Sequence, residues 1–196
     1  MSRSNRVAAG LAALLGLSLI ANGLWIPAKA ELAQFLIAKT WVRVRAGDPT
    51  ARPWPWADTR PVARLMVPKY GKDLYVLAGA TGQSLAFGPA HVSVSARPGS
   101  LDNVVLAGHR DTHFSFLRDL EEGDELILET TIGLDRYRVD GAAVVHQSRT
   151  DLLLPGGRAE LTLITCYPFD AVVPGGPLRY VVFASQFDAP PGVGEL

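Results

Sequence analysis

The chain of 196 residues is long enough for one ordinary domain with an anchoring segment, and too short for two sizeable cores. Its 19 Lys and Arg residues balance 19 Asp and Glu residues, so it lacks the basic excess that nucleic-acid binding needs, and we expect no nucleic-acid partner. A single cysteine, Cys166, excludes an internal disulfide and a cysteine-rich metal site.

An uncharged apolar segment covers residues 7–27, and about 20 apolar residues suffice for a helix to cross a bilayer. Arg3 and Arg6 precede it, and this positive charge predicts a cytoplasmic N-terminus over residues 1–6. Alternatively, Ala-Lys-Ala at 28–30 has the small-x-small form of a signal-peptidase site, and the segment would be a removed leader. Both interpretations place the following domain outside the cytoplasmic membrane.

Residues 28–62 are interpreted as a stalk and a linker. Glu31 to Val44 can form an amphipathic helix, and four apolar residues are predicted to share one of its faces: Leu32, Phe35, Leu36 and Val42. Four prolines between Asp48 and Pro61 exclude a regular helix or a central strand there. Trp54 and Trp56 in this linker suit either a membrane interface or packing against the domain.

Residues 63–188 are predicted to form the catalytic domain, followed by a tail over 189–196. Short apolar runs separated by Gly, Pro, Asp and Asn indicate six to eight strands, and therefore an all-β barrel or sandwich. The clearest runs are 63–67, 73–79, 103–108, 124–130, 136–145, 161–165 and 179–184. The one helical segment expected inside the domain is Phe-Ser-Phe-Leu at 114–117.

Cys166 follows the apolar run 161–165 and precedes Tyr167-Pro168, which cannot extend a strand ladder. The thiol is therefore expected at a strand end, where a rigid scaffold can present a nucleophile. The alternative is a buried, inert cysteine, because free cysteines are among the most buried residues.

His109 follows Gly108 at the end of another apolar strand. Attack by a thiol on an acyl carbon needs a proton acceptor and a donor for the leaving amine, and a histidine serves as both near neutral pH. The remaining histidines are expected on the surface or in the core, although His91 could line the same cleft. Arg179 opens the last apolar run, and its fixed fork of donors can hold a carbonyl or an oxyanion, unless it is a solvated edge-strand charge.

The string Thr-Leu-Ile-Thr-Cys at 162–166, Arg179 thirteen positions after the cysteine, and Ala-Gly-His-Arg at 107–110 together resemble the sortase signature. The resemblance extends from about Ala63 to Ala184. Trp-Pro-Trp-Ala-Asp at 54–58 and the His-Arg-Asp-Thr-His-Phe form of the histidine loop are similar to the sortase class of Gram-negative proteobacteria.

This resemblance implies a closed or nearly closed sortase-type β-barrel with short helices behind an N-terminal transmembrane helix. It implies that Cys166 attacks the Thr–Gly bond of an LPxTG-like C-terminal sorting signal and forms a thioacyl enzyme. His109 would protonate the leaving amine and deprotonate the incoming one, and Arg179 would hold the carbonyl side of the signal. Thr165 would help to stabilise the oxyanion. The partners would be a protein carrying the signal and an amine acceptor of unknown identity.

The segment Gln147 to Glu160 lacks the dense acidic residues of a calcium site, so we expect no metal and no other cofactor. This segment is expected to build much of the substrate groove, and Leu-Leu-Leu-Pro at 152–155 would pack on an apolar signal side chain or in the core. Two other interpretations stay open. One is an L,D-transpeptidase, whose cysteine normally follows Ser-His-Gly rather than Leu-Ile-Thr, and the other is a non-enzymatic anchored β domain with a buried Cys166.

Overall fold

The computed structural model describes residues 31–173 and 175–187. The chain divides into two compact units, residues 1–36 and residues 37–196. Of the first unit only the last residues, 31 onward, are described, and they are helical. The second unit contains the candidate site and all the strands of the described residues.

The predicted transmembrane segment, residues 7–27, and the tail, residues 189–196, lie outside the described residues. Within the ranges that are described, no helix is both long and apolar enough to cross a membrane. The anchor and its N-in orientation therefore stay predictions.

Eight strands close into a barrel in the order β1-β2-β3-β4-β7-β8-β6-β5. Their bounds are β1 Pro61–Val67, β2 Lys72–Ala78, β3 Ala90–His91, β4 Asn103–Ala107, β5 Glu125–Glu129, β6 Leu134–His146, β7 Glu160–Cys166 and β8 Leu178–Gln186. Antiparallel pairing of β1 with β5 closes the barrel, while β2–β3 and β4–β7 are parallel pairs. The predicted all-β barrel is confirmed. Each predicted run overlaps a strand, and only β3 is missed, because two residues carry no periodic signal.

The barrel interior is filled by alternate side chains of the strands. β1 alternates strictly between buried and half-buried positions, with Ala63, Leu65 and Val67 fully buried. This period of two is what a strand with one face in the core requires. Phe114 and Leu117 of the loop after β4 also lie in this core. The loop that begins at His109 is thereby tied to the barrel by packing.

Helix α1 covers residues 31–45, and the sequence predicts the wrong face for it. Val42, on the face predicted to be apolar, is 67% exposed. The buried side chains of the second unit's part of α1 include Ile37, Trp41 and Val44. Trp41 decides the orientation because it combines a large apolar area with an indole N–H that donates to Glu129 of β5 at 3.3 Å.

The expectation of one helical segment at 114–117 is incomplete. A second helix, α2 (Gly82–Phe87), begins after Thr81, whose hydroxyl accepts the Ser84 N–H at 3.4 Å. Six residues are too few for a helical periodicity to stand out. Three short 3-10 helices cover Pro68–Tyr70, Ser115–Asp119 and Thr150–Leu153.

The two linker tryptophans differ in environment. The Trp54 ring packs edge-on against Phe87, with 5.1 Å between ring centroids. Trp56 is 79% exposed. Packing against the domain is therefore confirmed for Trp54 alone.

Candidate active site

Three neighbouring strand ends bring His109, Cys166 and Arg179 into one row. Cys166, the last residue of β7, is paired directly with Arg179 of β8 in the antiparallel register. On the other side of β7, Ala107 of β4 is paired with Ile164 in the parallel register. His109 lies two residues after Ala107 and Cys166 two residues after Ile164, so the two are level with each other. Because side chains alternate along a strand, these positions share the outer face of the barrel. The structure therefore brings the three predicted residues to one location, while their catalytic roles stay predictions.

Cys166 is half-buried and free. The Tyr167 N–H donates to the Leu178 carbonyl at 3.1 Å, so the preceding Cys166–Arg179 pair is a non-hydrogen-bonded pair, the kind whose side chains lie closest. In the described part of the chain no hydrogen bond joins the thiol to the His109 ring. The distance between a nucleophile and its base is often longer than a hydrogen bond before substrate binds.

Thr165 connects the cysteine strand to the histidine loop. Its buried hydroxyl donates to the carbonyl oxygen of Gly108 at 2.7 Å, and the Gly108 N–H donates to the Ile164 carbonyl at 3.1 Å. Together these bonds fix the backbone next to His109 against the backbone next to Cys166. The oxyanion role predicted for Thr165 stays a prediction, and in this structure its hydroxyl proton is engaged by Gly108.

Gly108 is required by packing. A Cβ atom at this position would lie 2.6 Å from Cγ of Phe114, whose ring is fully buried in the core. The Phe114 N–H in turn donates to the His109 carbonyl at 3.0 Å. The tight turn Gly108–Phe114 thus anchors the exposed His109 to a buried aromatic ring.

His113 and Arg110 lie in the same loop as His109. Burial lowers the pKa of His113, and the nearby His109 lowers it further. Arg110 is 4% exposed, and its Nη2 donates to the Ala171 carbonyl at 2.8 Å and to the Val173 carbonyl at 3.4 Å. It ties the histidine loop to the β7–β8 loop. Its role was not predicted, although it belongs to the Ala-Gly-His-Arg string.

The Arg179 guanidinium is held on three sides. Nη1 donates to the carbonyls of Gly176 at 2.9 Å and Leu178 at 2.8 Å, and Nη2 donates to Oε1 of Gln147 at 3.0 Å. All three partners are neutral, so the positive charge stays available to a developing oxyanion. Gln147 was not predicted here. Its place one residue beyond β6, next to the β8 strand that carries Arg179, becomes visible only once the strands are paired.

A family model of the sortase domain matches residues 65–187. The chain belongs to the sortase family. It is 33% identical to Sortase D of Bacillus subtilis over 123 residues, 62% of each chain, and 30% identical to Sortase A of Bacillus anthracis over 125 residues, 62% of this chain and 57% of that one. A solved Sortase D5 transpeptidase of Clostridium perfringens matches with a TM-score of 0.58 at 27% identity, covering 66% of this chain and 80% of that chain.

The chain spans about 60% of the length of the two curated relatives it matches, 62% and 57%. Sortases are cysteine transpeptidases that act on proteins carrying sorting signals. The predicted family is thus confirmed. The assignment to the Gram-negative class stays a prediction.

A groove of about 340 Å³ runs along the outer face of the sortase barrel beside this row. Its floor consists of apolar side chains from β4, β6, β7 and β8 together with Val92: Val92, Ala107, Val145, Ile164 and Val181. Its wall is the start of the segment between β6 and β7, namely His146, Gln147, Arg149, Leu152 and Leu153. Arg179 lines the same groove, two residues before Val181 on β8. Ile164 on its floor lies two residues before Cys166 on β7, so the groove borders the row at Arg179.

The other histidines have different surroundings in the sortase barrel. Nε2 of His91 lies 2.9 Å from the Ala96 carbonyl and 3.2 Å from the Ser95 hydroxyl, so this ring fixes the β3–β4 loop. His146 is exposed and lines the groove. Among the residues that the structure describes, no three His, Cys, Asp or Glu side chains are grouped as metal ligands. The absence of a metal stays a prediction.

Proposed function

We propose that this chain is a membrane-anchored cysteine transpeptidase of the sortase class found in Gram-negative proteobacteria. It cleaves an LPxTG-like C-terminal sorting signal and transfers the protein to an amine. The observation that carries the proposal is the row of His109, Cys166 and Arg179 at three adjacent strand ends, where Arg179 also lines an apolar groove. A thiol, a proton carrier and an oxyanion donor on rigid strand ends are what acyl transfer needs.

In the first step the Cys166 thiolate attacks the carbonyl carbon of the Thr–Gly bond. The carbonyl becomes an oxyanion, and the Arg179 guanidinium, held by neutral partners, stabilises its charge. When the intermediate collapses, the C–N bond breaks and the His109 imidazolium gives its proton to the leaving amine. The product is a thioester on Cys166 with the C-terminal peptide released.

In the second step an incoming amine attacks the thioester carbon. Neutral His109 takes the proton that the amine loses, an amide bond forms, and the Cys166 thiolate leaves. Protons and electrons balance over the cycle, and no cofactor is consumed.

The groove supports binding of an extended peptide with an apolar anchor. Leu152 and Leu153 form an apolar wall, and Ile164 and Val181 form the floor next to the catalytic row. An apolar side chain of the signal would be buried there, while the scissile carbonyl extends toward Arg179 and Cys166. This position agrees with the expectation that the segment after β6 contributes to the groove.

The site of action is proposed from the sequence. The apolar segment 7–27 with Arg3 and Arg6 before it favours a single-pass anchor in the inner membrane, with the catalytic domain on the periplasmic side. Trp-Pro-Trp-Ala-Asp at 54–58 supports the Gram-negative class. The acceptor is proposed only as an amine.

A transfer assay tests the proposal. The full chain in detergent is incubated with a fluorogenic LPxTG-like peptide and a primary amine, and the amide product is quantified by mass. We expect product with the wild type, and a loss of at least about 10³-fold with Cys166→Ala and with His109→Ala. Wild-type rates in both variants would contradict the proposal.

The same samples separate the two other interpretations. A non-enzymatic β domain would leave the peptide uncleaved, and its buried thiol would resist alkylation, whereas a half-buried Cys166 is expected to react. An L,D-transpeptidase would use a D-amino-acid cell-wall stem peptide and ignore the sorting signal.

A further inference from the structure

Two side chains that have no role in the proposed mechanism form hydrogen bonds to the segment that makes the wall of the groove. Asp102 and Asn103 lie at the start of β4, at the opposite end of that strand from His109. The segment between β6 and β7 passes over them, and Leu152 and Leu153 of this segment line the groove. The two side chains therefore contact the back of the surface that faces the peptide.

Asn103 is 6% exposed, and its whole carboxamide is engaged. Nδ2 donates to the Leu152 carbonyl at 3.1 Å and to the Leu154 carbonyl at 3.2 Å, while Oδ1 accepts from the Thr162 hydroxyl at 2.8 Å. Because Thr162 belongs to β7, the amide plane is fixed by the barrel. The two donors then hold the carbonyls on either side of Leu153 at a set distance from that barrel.

Asp102 fastens the next part of the same segment. Its Oδ1 accepts the N–H groups of Gly156 at 2.7 Å, Gly157 at 2.9 Å and Asn103 at 2.8 Å. These donors lower the pKa of the carboxyl group, with the Asn103 N–H contributing most. The carboxylate is thus satisfied by backbone donors and holds the loop by hydrogen bonds alone.

We propose that Asp102 and Asn103 form a latch that presets the Leu152–Leu153 wall of the groove and thereby determines affinity for the sorting signal. The latch rests on the proposed function for its consequence, since the groove must bind peptide. Both are positioning residues, because they touch the wall and not the substrate. Presetting a loop removes its ordering cost from the binding step, which lowers KM and leaves the chemical step unchanged.

The test compares Asn103→Ala and Asp102→Ala in the full chain by peptide kinetics and by hydrogen exchange. We expect KM to rise about tenfold in each variant, with kcat within about twofold of the wild type. The amides of Leu154, Gly156 and Gly157 should exchange about tenfold faster. Asp102 is at the surface, so its variant keeps the test sound if the buried Asn103→Ala variant folds poorly.

Two further variants sharpen the comparison. Asp102→Asn retains an acceptor oxygen, so its KM should lie closer to the wild-type value than to that of Asp102→Ala. Thr59→Val is the matched control, because it removes another buried side-chain bond to a main-chain carbonyl, that of Ala78 in β2 at 2.9 Å, which does not involve the segment between β6 and β7. It should leave KM and the exchange of residues 152–157 unchanged.

Faster exchange in the segment together with a raised KM supports the latch. Unchanged exchange in both alanine variants, or an unchanged KM, overturns it. Equal effects from Thr59→Val also overturn it, since general destabilisation would then suffice. A wild type that never cleaves the peptide contradicts the proposed function instead, and the exchange measurement still decides whether the latch holds the wall.

Discussion

Two walls of the barrel use their polar side chains in different ways. On the β4–β7–β8 wall, side chains such as Thr165 and Arg179 donate to main-chain carbonyls of adjoining loops. On the β1–β2–β5 wall, charged side chains bind each other: Glu129 pairs with Arg45 at 2.6 Å and with Arg64 at 3.5 Å. A bond to a carbonyl fixes a loop backbone, whereas ion pairs whose guanidinium groups stay partly hydrated are worth about 0–1 kcal/mol.

The two walls differ in how precisely their side chains must be positioned. Acyl transfer requires three side chains within a fraction of an ångström of their working positions, and only a rigid backbone gives that precision. The opposite wall needs only to hold α1 and stay soluble. Substitutions on the first wall are expected to change rates, and those on the second to change stability alone.

Among substitutions that keep both Cys166 and His109, the largest effect is expected from Arg179→Lys, which keeps the charge and loses the planar fork. A lysine cannot bind the Gly176 and Leu178 carbonyls and the oxyanion together, so kcat/KM should fall by about 10²–10³. The matched control is Arg64→Lys on the opposite wall, which should keep the wild-type rate. A near-normal rate for Arg179→Lys would remove this residue from the site.

Gly108→Ala tests the packing beneath the histidine loop. The added methyl group would meet the Phe114 ring at 2.6 Å, so the loop must shift and carry His109 with it. Overpacking of this kind costs about 1–3 kcal/mol, and we expect kcat to fall as well. Gly133→Ala is the control, because its Cβ would meet nothing within 4 Å. Chemical denaturation and peptide kinetics measure both effects, and a fully active Gly108→Ala would contradict the packing argument.

Glu129→Ala tests the opposite wall. It removes the carboxylate that accepts the Trp41 indole N–H and pairs with Arg45 and Arg64. The guanidinium groups of the two arginines remain partly hydrated. We expect a loss of about 1 kcal/mol in the free energy of unfolding and an unchanged kcat/KM. A rate loss comparable to that of Arg179→Lys would show that the two walls are not separable.

The smallest effect concerns pH. Burial lowers the pKa of His113 in the folded chain below the ordinary value of 6.5. As the pH falls through 6.5, the unfolded chain therefore takes up this proton first, and folded-state stability decreases. His113→Gln should show a smaller loss of stability between pH 7.5 and pH 5 than the wild type. Identical losses in the two proteins would contradict the pKa shift.

The strands and the catalytic row were predictable because their signals are local. Alternating apolar runs indicate strands, and Cys166, His109 and Arg179 each follow or open such a run. The contacts that support the row were not predictable, since they join positions far apart in sequence. Gln147 reaches Arg179 across 32 positions, and Arg110 reaches Ala171 across 61.

The errors have a common physical cause. The buried face of α1 was misassigned because Trp41 is oriented by its bond to Glu129, which lies 88 positions away. The two-residue strand β3 exists only through its pairing with β2 and β4. Tertiary contacts settle these features, and local propensity does not.

The central claim is that Cys166 carries the acyl group. The most direct measurement is the intact mass of the full chain after acid quenching, following incubation with the sorting-signal peptide without an amine acceptor. We predict a mass increase equal to the acyl fragment, located on the peptide that contains Cys166 and removed by hydroxylamine. Cleavage of the signal by the wild type with no adduct on Cys166, or equal cleavage by Cys166→Ala, would contradict this account.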